Sequence, residues 1–139
     1  MKYLLDTCTV SDFVKGEPGV LANLKSTESA HIYISSLTKM EIHYGLALNR
    51  QRTKKLLPIL DAFFSVVATL PFDDADAQAA GKIRAALKAK GTPIGPYDAL
   101  IAGCALARGL TVVTSNMSEF RRINGLVIEN WRDCAPHYV

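Results

Sequence analysis

The sequence is poor in cysteine and histidine and has no long apolar run, and each shortage excludes a class of protein. The three cysteines, Cys8, Cys104 and Cys134, lie far apart without a CxxC or Cys/His spacing, which excludes a disulfide scaffold and a zinc module. They read as reduced, mostly buried thiols. Cys8 follows Asp6, but no histidine lies beside it in sequence to activate a catalytic thiol. His31, His43 and His137 share no spacing, which argues against a histidine-driven phosphodiesterase, where two must converge on a phosphate. No apolar run approaches the ~20 residues of a membrane span. The start, MKYLLDT, reaches Asp6 after three apolar residues, too few for the core of a signal peptide. A cytoplasmic protein with no membrane contact is expected. Net charge is only +3, so charge alone neither demands nor excludes a nucleic-acid partner.

What remains is ordinary globular material: 139 residues, 49% hydrophobic and 21% charged, consistent with one domain over 1–139. Lys2 to Leu5 reads as a strand ending at Asp6, with Thr7 and Ser11 at the start of a helix. Gly16 to Gly19 breaks the chain, and Pro18 suits the first turn of a second helix. His31 to Ile34 reads as strand, Leu37 to Asn49 as helix, and Arg50 to Phe64 as a basic stretch running into an amphipathic one. Val66 to Leu70 reads as a third strand, Asp74 to Lys90 as an Ala-rich helix and Thr92 to Pro96 as loop. Tyr97 to Arg108 reads as helix, Leu110 to Thr114 as strand and Leu126 to Ile128 as a last strand. This alternation, with connections too long for hairpins, predicts an α/β fold whose parallel sheet is covered by helices on both faces. Ligands of such sheets sit beyond the carboxyl ends of the strands, where Asp6 and the segment Thr114 to Asn116 fall.

Three acids stand among residues that favour burial: Asp6 at a strand end, Glu41 in TKMEIHYGLAL, and Asp98 opening YDALIAGCALA. A buried carboxylate without a partner costs several kcal/mol, about the same order as one marginal domain's reserve. Gathering around Mg²⁺ or Mn²⁺, which take oxygen ligands, removes that cost. Each acid also has a plainer role open to it. Asp6 can cap a helix, Asp98 can favour a helix N-terminus, and Glu41 can face solvent. Glu41 is the hardest to set aside, because Leu37, Met40, Tyr44 and Leu48 share its side of the helix. Asp12, Asp73, Asp74 and Asp76 read as surface or cap residues.

Four ordered segments, LLDTCTVSDFV, ISSLTKMEIHYG, GTPIGPYDALIAGCALARG and VVTSNMSEFRRINGLVIENW, closely resemble PIN-domain ribonucleases, specifically the VapC toxins of bacterial toxin–antitoxin pairs. The resemblance spans nearly the whole chain. It implies a PIN-like three-layer α/β/α sandwich with a central parallel sheet, and Asp6, Glu41 and Asp98 as ligands of Mg²⁺, with Mn²⁺ able to substitute. Many PIN domains carry a fourth acid where this chain has Asn116, which can offer an oxygen to a cation's water. Glu119 can supply the missing charge, or cap the SEF turn. Thr7 and Ser11 can orient the Asp6 carboxylate or cap the helix after it, and Thr114 lies at the same sheet end. Of the basic residues, the Arg121–Arg122 pair is best placed for RNA phosphates.

The resemblance also implies metal-dependent hydrolysis of an RNA phosphodiester, with the anticodon stem-loop of a tRNA, first of all initiator tRNA, or a ribosomal RNA loop as substrate. It implies a VapB-type antitoxin whose C-terminal segment presents a basic side chain to the acids, a homodimer, and a higher assembly with the antitoxin. Leu21, Leu24, Leu56, Leu57, Leu60 and Phe64 are candidates to line the antitoxin's groove. A catalytically silent RNA-binding module, or a nuclease acting on DNA, would share the same three acids.

Overall fold

In a computed structural model, which describes residues 1–132, short strands alternate with helices. They are β1 (Tyr3–Leu5), α1 (Thr7–Lys15), α2 (Pro18–Ser26), β2 (Ile32–Ser35), α3 (Ser36–Leu48), α4 (Arg50–Val66) and β3 (Ala68–Leu70), followed by α5 (Asp74–Ala89), α6 (Pro96–Arg108), β4 (Thr111–Val113), α7 (Met117–Phe120) and β5 (Ile128–Glu129). A 3-10 turn, Ser29–His31, precedes β2, so the expected strand there starts one residue late. Val66 closes α4 instead of opening a strand, and Pro96 opens α6 instead of closing a loop. Proline suits that position because the first helical N–H has no acceptor within the helix. The last strand also lies later than expected, at Ile128–Glu129, leaving Leu126 and Val127 outside it.

All strand pairs are parallel, in the order β3-β2-β1-β4-β5. Successive residues of each strand point to opposite faces, so neighbouring apolar residues enter different cores. Leu4 and Val112 pack with Ile83, Leu87, Ile101 and Phe120 under α5, α6 and α7. Leu5 and Val113 pack with Val10, Val20, Ile34, Leu60 and Phe63 under α1, α2 and α4. Helices on both sides of one parallel sheet make the three layers implied by the resemblance. The chain builds from β1 outward to β3, then returns through α5 and α6 to lay β4 on the other side of β1. The order therefore reverses between β1 and β4, and the crevice beyond their carboxyl ends is where this topology leaves room for a ligand.

Of the aspartates expected at the surface or in caps, Asp73 and Asp76 do cap α5, but Asp12 and Asp76 are buried. Asp76 is fully buried and pairs with Arg108 at 3.1 Å while completing a capping box with Asp73. Asp12 is buried against Arg132 at 2.7 Å. A buried carboxylate is tolerated once a guanidinium meets it, and both partners are distant in sequence. Cys8 is exposed rather than buried, Cys104 is buried, and Cys134 and His137 lie outside the described residues. No described helix is long and apolar enough to cross a membrane.

Candidate active site

Asp6 leaves β1 and becomes the N-cap of α1, its Oδ1 accepting the Thr9 N–H at 2.9 Å. The cap role and the site role thus coincide. Its backbone N–H bonds the Val113 carbonyl at 3.1 Å, which fixes it beside the end of β4. Asp6 is only 1% exposed, and burial raises its pKa against the hydrogen bonds it accepts from Thr114 and Thr9. Thr114, fully buried after β4, also accepts the Asn116 N–H at 2.9 Å, so one hydroxyl ties the ends of both central strands together.

Glu41 arrives from α3. Thr7 Oγ1 donates to Glu41 Oε1 at 2.7 Å, and Thr38 Oγ1 stands 3.5 Å from the same hydroxyl. Thr7 therefore orients Glu41, not Asp6, and Ser11 lies beyond it in a groove wall. Of the four apolar residues expected on Glu41's side of the helix, Leu37 is half-buried, but Met40, Tyr44 and Leu48 are 41%, 65% and 70% exposed. Glu41 is half-buried because of what α1 places against it.

Asp98 sits in the first turn of α6, and Asn116 Nδ2 donates to its Oδ2 at 3.3 Å. The same amide nitrogen bonds Glu119 Oε2. Asn116 thus turns its donor, not its oxygen, toward the acids, since two neighbouring carboxylates offer only acceptors. Glu119 Oε1 accepts the Gly95 N–H at 3.0 Å, and these bonds, from Asn116 first, lower its pKa. Asp98 moves the other way, from 3.8 to about 6, raised chiefly by burial and then by the charges of Glu119, Asp6 and Glu41. Carboxylates from α1's cap, α3 and α7 therefore all act on Asp98 at one mouth. Among the described residues no three His, Cys, Asp or Glu side chains are already gathered closely enough to hold a metal ion. The donors are nonetheless the hard oxygens Mg²⁺ takes, and Mg²⁺ keeps several waters rather than demanding an all-protein cage.

A PIN domain model matches residues 3–126. The chain belongs to the PIN domain family. The tRNA(fMet)-specific endonuclease VapC of Salmonella typhimurium is 41% identical over 94% of this chain and 98% of its own length. Ribonuclease VapC2 of Haemophilus influenzae is 31% identical over the same shares. The crystal structure of DNA-bound VapBC from Salmonella typhimurium superposes with a TM-score of 0.86 at 42% identity, covering 94% of this chain and 98% of that one. This PIN domain is thus of the VapC type, among nucleases.

Around the acids, Arg122 donates to the Pro93 carbonyl at 2.9 Å and helps lower the Glu119 pKa, while Arg121 is exposed at the end of α7. Sequence reasoning missed Thr9, which ties Asp6 to the Val113 carbonyl, and Thr38 and Gly95, whose partners Thr7 and Glu119 are distant in sequence. It gave no sign of a groove beside Glu41. That groove, about 220 Å³, runs between α1, α3 and α4 over Val10, Val14, Ile42, Leu46, Leu56 and Leu60. Of the six leucine and phenylalanine residues expected to line an antitoxin groove, Leu56 and Leu60 line this one, and Leu24, Leu56, Leu60 and Phe64 all belong to or pack against the core on that face.

Proposed function

We propose that this PIN domain is the toxin of a type II toxin–antitoxin pair, a Mg²⁺-dependent endoribonuclease that cuts the anticodon stem-loop of initiator tRNA in the cytoplasm and so inhibits translation. The observation that carries this reading is the meeting of Asp6, Glu41, Asp98 and Glu119 at the sheet's switch point, in a chain 41% identical to a tRNA(fMet)-specific endonuclease. Asp6, Glu41 and Asp98 would hold the cation, Mg²⁺ or in its place Mn²⁺. Bound there, it supplies a water of lowered pKa and offsets charge growing on the scissile phosphate. Thr114 and Thr9 hold Asp6, Thr7 holds Glu41, and Asn116 spaces Asp98 from Glu119. Preset oxygens need no rearrangement when substrate arrives, which is where such sites gain rate. Hydrolysis then joins a water oxygen to phosphorus, breaks one P–O bond to ribose and returns a proton to the departing oxygen.

The apolar groove beside Glu41 suits an amphipathic segment of a VapB-type antitoxin, which would bring a basic side chain to the acids. Met40, Tyr44 and Leu48, one stripe of α3, offer an exposed apolar surface for a homodimer, and with the antitoxin a higher assembly. The test is brief induction in growing cells with sequencing of RNA 5′ ends. One dominant new end in initiator tRNA, with growth arrest relieved by the neighbouring antitoxin gene, is expected. Harmless accumulation of folded protein with no new RNA ends would refute it.

A further inference from the structure

A second groove, of about 650 Å³, lies between α5 and the segment 93–96. Leu87, Pro93, Ile94 and Pro96 give it apolar walls, and Arg84 and Lys88, both exposed, bring two positive charges. None of the acids lines it, but it shares the start of α6 with Asp98. Pro96 and Ala99, which line it, flank Asp98 in α6, and a Cβ built on Gly95 would stand 3.4 Å from Asp98 Oδ2. The segment is braced from the acid side, where Gly95 donates to Glu119 and Arg122 grips the Pro93 carbonyl. One rigid stretch therefore borders both the carboxylates and the groove.

We propose that this groove carries the RNA strand flanking the scissile phosphate, with Arg84 and Lys88 on its phosphates and a base against the apolar wall. The proposal rests on the ribonuclease reading above. Apolar walls with paired cations match a nucleotide, whose base and phosphate differ in the same way. The segment shared with the phosphodiester-cutting mouth favours RNA over an acidic peptide.

The test uses the full chain carrying Asp6→Asn, so that bound RNA survives, and an initiator tRNA transcript as probe. Adding Arg84→Gln and Lys88→Gln should weaken binding. Loss of two phosphate contacts should make the slope of log affinity against log salt shallower by about 1.4. The ratio of variant to parent Kd should then shrink about sevenfold between roughly 50 and 200 mM salt. Lys54→Gln with Lys55→Gln, an equal charge change on α4 across the sheet, should leave Kd and slope unchanged. In the protein with Asp6 intact, the Arg84/Lys88 pair should raise KM and spare kcat. Unchanged RNA affinity and slope would overturn the proposal, as would intact RNA binding with loss of an acidic peptide partner. Failure of the unmutated protein to cut any RNA would instead overturn the ribonuclease reading, since the binding arm needs no cleavage.

Discussion

Asp98→Asn should stabilise the metal-free protein while abolishing cleavage. The Asp98 carboxyl is raised from 3.8 to about 6, first by burial and then by Glu119, Asp6 and Glu41. The folded chain thus keeps a proton that the unfolded chain releases between those values. Stability is therefore lost as pH rises through that window, and the full penalty applies above about pH 6. At ~1.36 kcal/mol per pH unit the penalty is ~3 kcal/mol. Asp98 is half-exposed, and solvent screening reduces this to about 1 kcal/mol. Loss of its favourable place in the first turn of α6 removes a few tenths more. The isosteric amide still accepts from Asn116, so little else changes. Thermal unfolding in EDTA at pH 7.5 should show a rise of about 3 °C in Tm for a domain of this size. At pH 4 the two proteins should melt together. Adding Mg²⁺ should raise the Tm of the unmutated protein and leave the variant unmoved. A variant that is less stable in EDTA at pH 7.5, or whose advantage persists at pH 4, would refute the reasoning.

Other perturbations probe the supports. Thr7→Val removes the hydroxyl bonded to Glu41 at 2.7 Å; kcat should fall about tenfold, worth ~1.4 kcal/mol, with Tm unchanged and Thr7→Ser restoring activity. Arg108→Met leaves buried Asp76 without its guanidinium, and urea unfolding should register a loss of about 3 kcal/mol, partly recovered by adding Asp76→Asn. Gly103→Ala would set a methyl 2.7 Å from Ala80 Cβ and N, where α5 and α6 touch, and should cost about 2 kcal/mol by the same assay. Gly81→Ala, where a Cβ meets nothing within 4 Å, should stabilise α5 by under ~1 kcal/mol instead.

The legible parts of the sequence were those written locally. Strand ends, caps and the Ala-rich helix follow from neighbours in the chain, and Asp6 and Asp98 lie where such elements begin and end. The apolar surroundings that single out Glu41 in the sequence do not bury it, since Met40, Tyr44 and Leu48 on α3 are exposed. Its true support is Thr7, 34 residues away. Asp74 and Asp76 look alike in sequence, yet only Asp76 is buried, because its partner Arg108 lies 32 residues on. Asp12 and Arg132 are 120 residues apart. Pairings across such distances are set by the sheet order, and no local pattern encodes them. The groove beside Glu41 is illegible for the same reason: amphipathicity marks a buried face without saying what buries it.

The most direct measurement is cleavage of purified initiator tRNA by the purified protein in Mg²⁺, compared with its Asp6→Asn variant. Asparagine caps a helix as well as aspartate does, so the Thr9 bond and the fold should survive while a ligand charge is lost. The account predicts a single cut in the anticodon stem-loop by the unmutated protein, abolished by EDTA, and none by the folded variant. Equal cutting by both proteins would contradict it.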